Sequence, residues 1–305
     1  MDSARETSSD DSTGQDQWES GNSVLPEIQP APPRTACRVL SIANQKGGVG
    51  KTTTAINLSA SLAMAGRRIL VLDMDPQSNA TSALGQKVDH TTRTIYDVLL
   101  GEATLREAIL TTDALGIRIV PSSPQFAGAE VELVSVENRE FLLKEQLDGL
   151  KSEYDYVIID CPPSLGLLTV NALSASDGVI VPIQCEYLAL EGLSHLLETL
   201  QAVRKSLNPK LRVEGLLLTM YDGRLSLSQQ VANDARTYFG SRVYRTMIPR
   251  NVRLGEAPSF GKPVILYDRA CAGSMSYVNL AKEIMENESQ GVGAWSESAH
   301  TGLPG

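Results

Sequence analysis

Three groups of residues in this chain have the types and spacing to act on a phosphate. The first is the run Ala43-Asn44-Gln45-Lys46-Gly47-Gly48-Val49-Gly50-Lys51-Thr52-Thr53-Thr54. Glycines carry no Cβ, so Gly47, Gly48 and Gly50 let backbone N–H groups turn inward around a polyphosphate. Lys51 is spaced to reach the β- and γ-phosphates, and Thr52 offers its hydroxyl to Mg²⁺. The second group is Asp73-Met74-Asp75-Pro76-Gln77. Extended backbone puts Asp73 and Asp75 on one side with Met74 opposite. One carboxylate can polarise a water attacking the γ-phosphate while its neighbour assists the metal shell or the loop. The third is Asp160, which ends Tyr154-Asp155-Tyr156-Val157-Ile158-Ile159 and precedes Cys161-Pro162-Pro163-Ser164. A carboxylate at that place orients Mg²⁺ through water.

The elements around these groups fit the chemistry. Val39 to Ala43 reads as a buried strand before the loop, and Ala55 to Ala65 as a helix after it, so a helix N-terminus faces the phosphates. Arg68 to Asp73 and Tyr154 to Asp160 read as strands that end in acid, where parallel sheets bind ligands. Further strands are expected at Ile117–Val120, Asp177–Pro182, Val213–Met220 and Val243–Ile248. Helices are expected at Leu188–Leu207, Ser226–Phe239 and Gly273–Asn287, with two short ones around Gly101. Alternation of apolar strands with helices implies an α/β fold: a doubly wound, mostly parallel sheet covered on both faces, in a single domain.

The loop departs from the usual phosphate-binding pattern. Gln45 stands where that pattern has its first glycine, and Lys46 follows it, giving two lysines five residues apart. One loop needs only one lysine for its own phosphates. Lys46 is therefore either a solvated loop charge or a group with a second task.

Composition bounds the class. The chain has 305 residues, 42% hydrophobic and 21% charged, which suits a globular protein with ample core. No apolar run approaches the ~20 residues of a membrane span. The four cysteines, Cys37, Cys161, Cys185 and Cys271, form no C-x-x-C pair and read as reduced thiols. The formal charge of −9 is uneven. Residues 1–33 carry seven carboxylates against Arg5, whereas residues 201–262 carry eleven Lys/Arg against four carboxylates. The expected organisation is a disordered acidic, Pro-rich extension over 1–36, one catalytic domain over 37–287 and a flexible tail over 288–305.

The strings A-N-Q-K-G-G-V-G-K-T-T-T, D-M-D-P-Q-S-N-A-T, Y-D-Y-V-I-I-D-C-P-P-S and I-P-R-N-V-R-L-G-E-A-P-S-F-G-K-P together resemble the ParA/Soj-type partitioning ATPases, the deviant Walker A branch of P-loop ATPases. Gly255 and Phe260 depart from the Ser and His of that pattern. The resemblance implies ATP and Mg²⁺ bound by Lys46, Gly47, Gly48, Val49, Gly50, Lys51, Thr52 and Thr53, with Met220 and Pro249 flanking the adenine. It implies metal contacts by Thr52, Asp75 and Asp160, and water activation by Asp75, with Asp73 less defined. Gln77, Asn79 and Thr81 would form a switch-like segment. Lys46 would reach the partner's nucleotide in an ATP-bound homodimer. Arg224, Arg250 and Arg253 would hold double-stranded DNA without sequence preference, or else pair with surface carboxylates. A ParB-type protein would stimulate hydrolysis, and the protein would be cytoplasmic and nucleoid-associated. The acidic Met285–Ser289 stretch argues against a membrane-bound MinD-like role, which needs a basic amphipathic terminal helix.

Overall fold

The computed structural model describes residues 34, 36–186 and 191–289. The acidic extension up to residue 33 and the tail from residue 290 lie outside the described residues. Seven strands form one sheet: β1 (Arg38–Ile42), β2 (Ile69–Asp73), β3 (Leu110–Thr111), β4 (Arg118–Val120), β5 (Tyr156–Asp160), β6 (Gly178–Gln184) and β7 (Arg212–Thr219). Their order is β3-β4-β2-β5-β1-β6-β7, and all neighbours are parallel except β3 with β4. The sheet is buried on both faces, as expected when crossover helices cover it twice. Alternation sorts its side chains: Val39, Leu70, Leu72, Val157 and Ile159 enter one core, and Leu40, Ile42, Val71 and Ile158 the other.

Register gathers the acidic ends. Ile42 pairs with Asp160, and Asp160 pairs with Asp73, so three adjacent strands finish in one row. The loop leaves β1 at that row and enters the helix Lys51–Met64. That helix starts four residues earlier than sequence periodicity suggests. Gly50, at φ 88°, turns the chain, and the Thr54 N–H donates to its carbonyl at 2.9 Å. Lys51 and Thr52 therefore ride on the first helical turn.

Two expectations change. Residues 243–248 do not form a strand; they run beside β7 through isolated bridges at Leu216–Val243 and Tyr221–Pro249. The N–H groups of Arg245 and Thr246 are taken instead by the Glu283 carboxylate at 2.7 and 2.9 Å, which removes donors a ladder would need. The two short helices expected around Gly101 form at Ile95–Leu99 and Leu105–Ala108, and the chain directly after them adds the short antiparallel β3. The last helix spans Ala272–Ser289, past Asn287, so Glu288 belongs to the folded body rather than to the tail. Its carboxylate binds Arg34, Arg38 (2.6 Å) and the Tyr156 hydroxyl (2.7 Å), while the Arg34 guanidinium stacks 5.0 Å over the Tyr156 ring. Arg34, assigned to the extension by composition, is thus also tied to the domain.

Candidate functional site

At the carboxyl end of the sheet the loop is held open by its own side chains. The Asn44 amide donates to the Pro182 carbonyl at 2.7 Å, and its oxygen accepts the Lys46 N–H at 3.0 Å. From β7, the Thr219 hydroxyl donates to the Val49 carbonyl at 2.9 Å. These bonds fasten the loop to β6 and β7 and leave the N–H groups from Gly47 to Lys51 unused by them. Gly48 and Gly50 both lie at positive φ, the conformation that side chains resist.

The two lysines are placed differently. Lys51 is buried, and its ammonium donates to the Lys46 carbonyl at 3.2 Å. Burial lowers its pKa, and the carboxylates Asp160 and Asp75 act in the opposite sense. Such an amine, short of charged partners at bonding distance, is poised for an incoming anion. The Lys46 side chain is half-buried and its ammonium makes no hydrogen bond or ion pair among the described residues.

The aspartates also separate. Both oxygens of Asp73 are engaged: one accepts the Asp75 N–H (3.2 Å), the other the Thr81 N–H and hydroxyl (2.8 and 2.6 Å). Thr81 in turn accepts the Ser122 N–H at 3.0 Å. Asp73 is thus the post that anchors the segment after β2, and Thr81 is fixed to it. Asp75 accepts the Gln77 N–H at 3.0 Å on one oxygen only.

Asp160 is fully buried and neither oxygen has a hydrogen bond. Burial, then the neighbouring Asp73, pushes its pKa well above the usual carboxylate range. The Thr52 hydroxyl lies close enough to favour the charged form, yet falls short of hydrogen-bond geometry. An orphaned carboxylate costs free energy unless a cation or water satisfies it. A hard oxygen donor set of Thr52, Asp75 and Asp160 suits Mg²⁺, which keeps several waters and takes few protein ligands. No cluster of three or more His, Cys, Asp or Glu that could cage a metal occurs among the described residues. Cys161 is buried, with its thiol pushed up to about 12, and fits a small packing residue.

Beside the loop lies a cavity of about 250 Å³ lined by Gly50, Thr53, Met220, Pro249, Asn251 and Tyr277, among others. Met220 and Pro249 are therefore brought to the loop, with Met220 held at φ 50°. On the other side, Asn79, Ser82 and Lys262 share a cleft of about 420 Å³ with Thr52 and Thr53. Asn44, Thr219, Asn251 and Tyr277 carry no role in the sequence reading. Asn44, Thr219 and Tyr277 each have a partner far along the chain, whereas Asn251 caps the short helix Val252–Glu256 by accepting the Arg253 N–H at 2.9 Å. Only the position of Asn44 within the loop string hints at its part.

The three arginines sit at the surface near the cavity. Arg250 lines it and lies 3.6 Å from Glu186. Arg224 pairs with Asp222 at 2.7 Å, and Arg250 also lowers the Asp222 pKa, so these two cations share one carboxylate neighbourhood. Arg253 pairs with Glu256 (2.8 Å) and Asp268 (3.2 Å). Each thus has an exposed ion pair of small net value, exchangeable for another anion.

A family model described as an AAA domain matches residues 37–213. Over 254 residues the chain is 55% identical to the chromosome partitioning protein ParA of Myxococcus xanthus, spanning 83% of this chain and 90% of that one. It is 53% identical over 250 residues to the sporulation initiation inhibitor protein Soj of Bacillus subtilis, spanning 82% and 99% of the two chains. A solved structure, cobyrinic acid a,c-diamide synthase from Mycobacterium smegmatis with bound ADP and magnesium, matches with a TM-score of 0.75 and 38% identity, over 84% of this chain and 96% of that one.

Proposed function

This chain belongs to the ParA/Soj family of chromosome-partitioning ATPases, and on that premise we propose that it is a dimerising, Mg²⁺-dependent ATPase that binds DNA in its ATP form. The loop N–H groups and Lys51 hold the β- and γ-phosphates, and the cavity beside Met220, Pro249 and Tyr277 seats the adenine. Thr52 and Asp160 hold Mg²⁺, the latter through water, and the magnesium bound with ADP in the M. smegmatis structure supports this reading. When bound, Mg²⁺ neutralises charge developing on the phosphate oxygens. Asp75, with one oxygen uncommitted, orients the attacking water. Arg224, Arg250 and Arg253 hold the phosphates of double-stranded DNA, and a ParB-type partner accelerates hydrolysis. The protein then works in the cytoplasm on the nucleoid.

The observation that carries this reading is the second lysine. Lys51 occupies the phosphate side of the loop, whereas the Lys46 ammonium has no partner among the described residues. A second nucleotide, brought by another subunit, supplies one. Lys46→Ala should therefore leave ATP binding by the monomer nearly intact and abolish the dimer. Sedimentation with a slowly hydrolysed ATP analogue reads this directly. A normal dimer with normal turnover would return Lys46 to the role of a solvated loop charge.

A further inference from the structure

At the end of the sheet opposite the phosphate loop lies a second cavity, of about 730 Å³. Four arginines line it: Arg67, Arg68, Arg106 and Arg118. Glu153 is the only carboxylate among its lining residues. Glu153 pairs with Arg106, and Arg68 pairs with Asp155 at 3.0 Å. Arg118 is exposed and makes no ion pair among the described residues. Ala63, Ile69, Ile109 and Leu115 add apolar wall. None of the proposed nucleotide or DNA residues is here, so the proposed ATPase cycle gives this concentration of cations no task.

The chain itself brings a matching polyanion to this end. Arg38, at the start of β1, donates its N–H to the Asp155 carbonyl at 3.0 Å, and the Asp155 N–H donates to the Arg68 carbonyl at 2.9 Å. The entry of the N-terminal segment into the fold is therefore two hydrogen-bonded strands, about 10 Å, from an arginine of the cavity. Arg34 is fixed at the same end by Tyr156 and Glu288. Residues 1–33 carry Asp2, Glu6, Asp10, Asp11, Asp16, Glu19 and Glu27 against Arg5 alone. Trp18 sits between Asp16 and Glu19, an aromatic among acids, which suits apolar walls with an arginine rim. Trp18 lies sixteen positions before Arg34, an extended reach of about 50 Å. Tethering makes the encounter intramolecular and its effective concentration high.

We propose that the acidic N-terminal segment of this chain docks in the Arg67/Arg68/Arg106/Arg118 cavity. The docked segment covers those cations, so that other polyanions meet only the Arg224/Arg250/Arg253 side of the molecule.

The chain has two tryptophans, Trp18 and Trp295, so Trp295→Phe in the full-length protein makes Trp18 the sole reporter. At low salt, acrylamide should quench Trp18 severalfold less than it quenches a free peptide of residues 1–33. High salt, or the pair Arg106→Glu and Arg118→Glu, should raise quenching to the peptide value. Neutralising Asp10, Asp11, Asp16 and Glu19 to their amides should do the same without touching the folded domain, which guards against a misfolded arginine variant. Protection should not change on dilution. Peptide-like quenching at low salt overturns the proposal, as does protection that survives both sets of substitutions. Protection lost on dilution would assign the cavity to the segment of a second copy.

Discussion

Asp73 and Asp75 are two residues apart and chemically alike, yet their hydrogen bonds divide them. Asp73 spends both oxygens on Thr81 and the Asp75 N–H, whereas Asp75 keeps one oxygen uncommitted. Spacing alone put both carboxylates on one side and left their roles open, because the donor that claims Asp73 sits eight residues later. Asp75→Ala should therefore bind ATP with near-parental affinity and dimerise, while losing about 100-fold or more in hydrolysis, the scale of one positioned general base. Calorimetry and single-turnover hydrolysis separate the two effects, and hydrolysis at the parental rate would move the role elsewhere. Lys51→Ala should do the opposite and lose nucleotide binding itself. The loop lysines, the glycines and the strand-end acids were legible in the sequence because their spacing is local. Asn44 and Thr219 were not, since they brace the loop through carbonyls at Pro182 and Val49 that only the folded sheet brings near.

The elements that present these residues were readable where apolar runs were bounded by Gly or Asp, as in β2, β5 and β6, or led into the glycine-rich loop, as in β1. The failures have separate causes. Residues 243–248 have a strand-like pattern, but Glu283 on the last helix captures two of their N–H groups, and a tertiary carboxylate overrides local propensity. β3 is two residues long and too short to leave a periodic signal. A carboxylate also joins elements at Asp155, which accepts from the Arg68 N–H (2.8 Å) and from its guanidinium (3.0 Å) while its backbone links β1 to the turn before β2. Burial raises the Asp155 pKa, but the Arg68 hydrogen bonds outweigh it and hold the carboxyl below its usual range. A depressed folded-state pKa contributes stability above the unfolded value, and that stability is lost as pH falls through the folded one. Asp155→Ala should thus cost about 2 kcal/mol at neutral pH, and progressively less as pH falls from about 4 through the lower folded-state value. Urea unfolding at neutral pH and below the folded-state value checks this. An equal loss at each would show that packing rather than charge is responsible.

At the scale of the whole molecule, the proposed DNA binding requires an acidic protein to hold a polyanion. Its formal charge of −9 opposes encounter, but beyond a Debye length of about 8 Å at physiological salt that field is screened. Local cations then decide, and dimerisation doubles their number in one contact. The three arginines hold only exposed ion pairs, so exchanging Asp222, Glu186, Glu256 or Asp268 for phosphate costs little. Arg253→Glu should weaken binding alike on unrelated duplexes and flatten its salt dependence, because such contacts carry no sequence information. In the proposed cycle, such binding depends on nucleotide first closing two subunits together. The most direct measurement is therefore DNA binding by the parent protein, on two unrelated duplexes, with a slowly hydrolysed ATP analogue and with ADP. Comparable tight binding to both duplexes with the ATP analogue, and none with ADP, is the predicted result. Equal binding in the two nucleotide states, or no binding in either, would contradict an ATP-gated DNA-binding dimer.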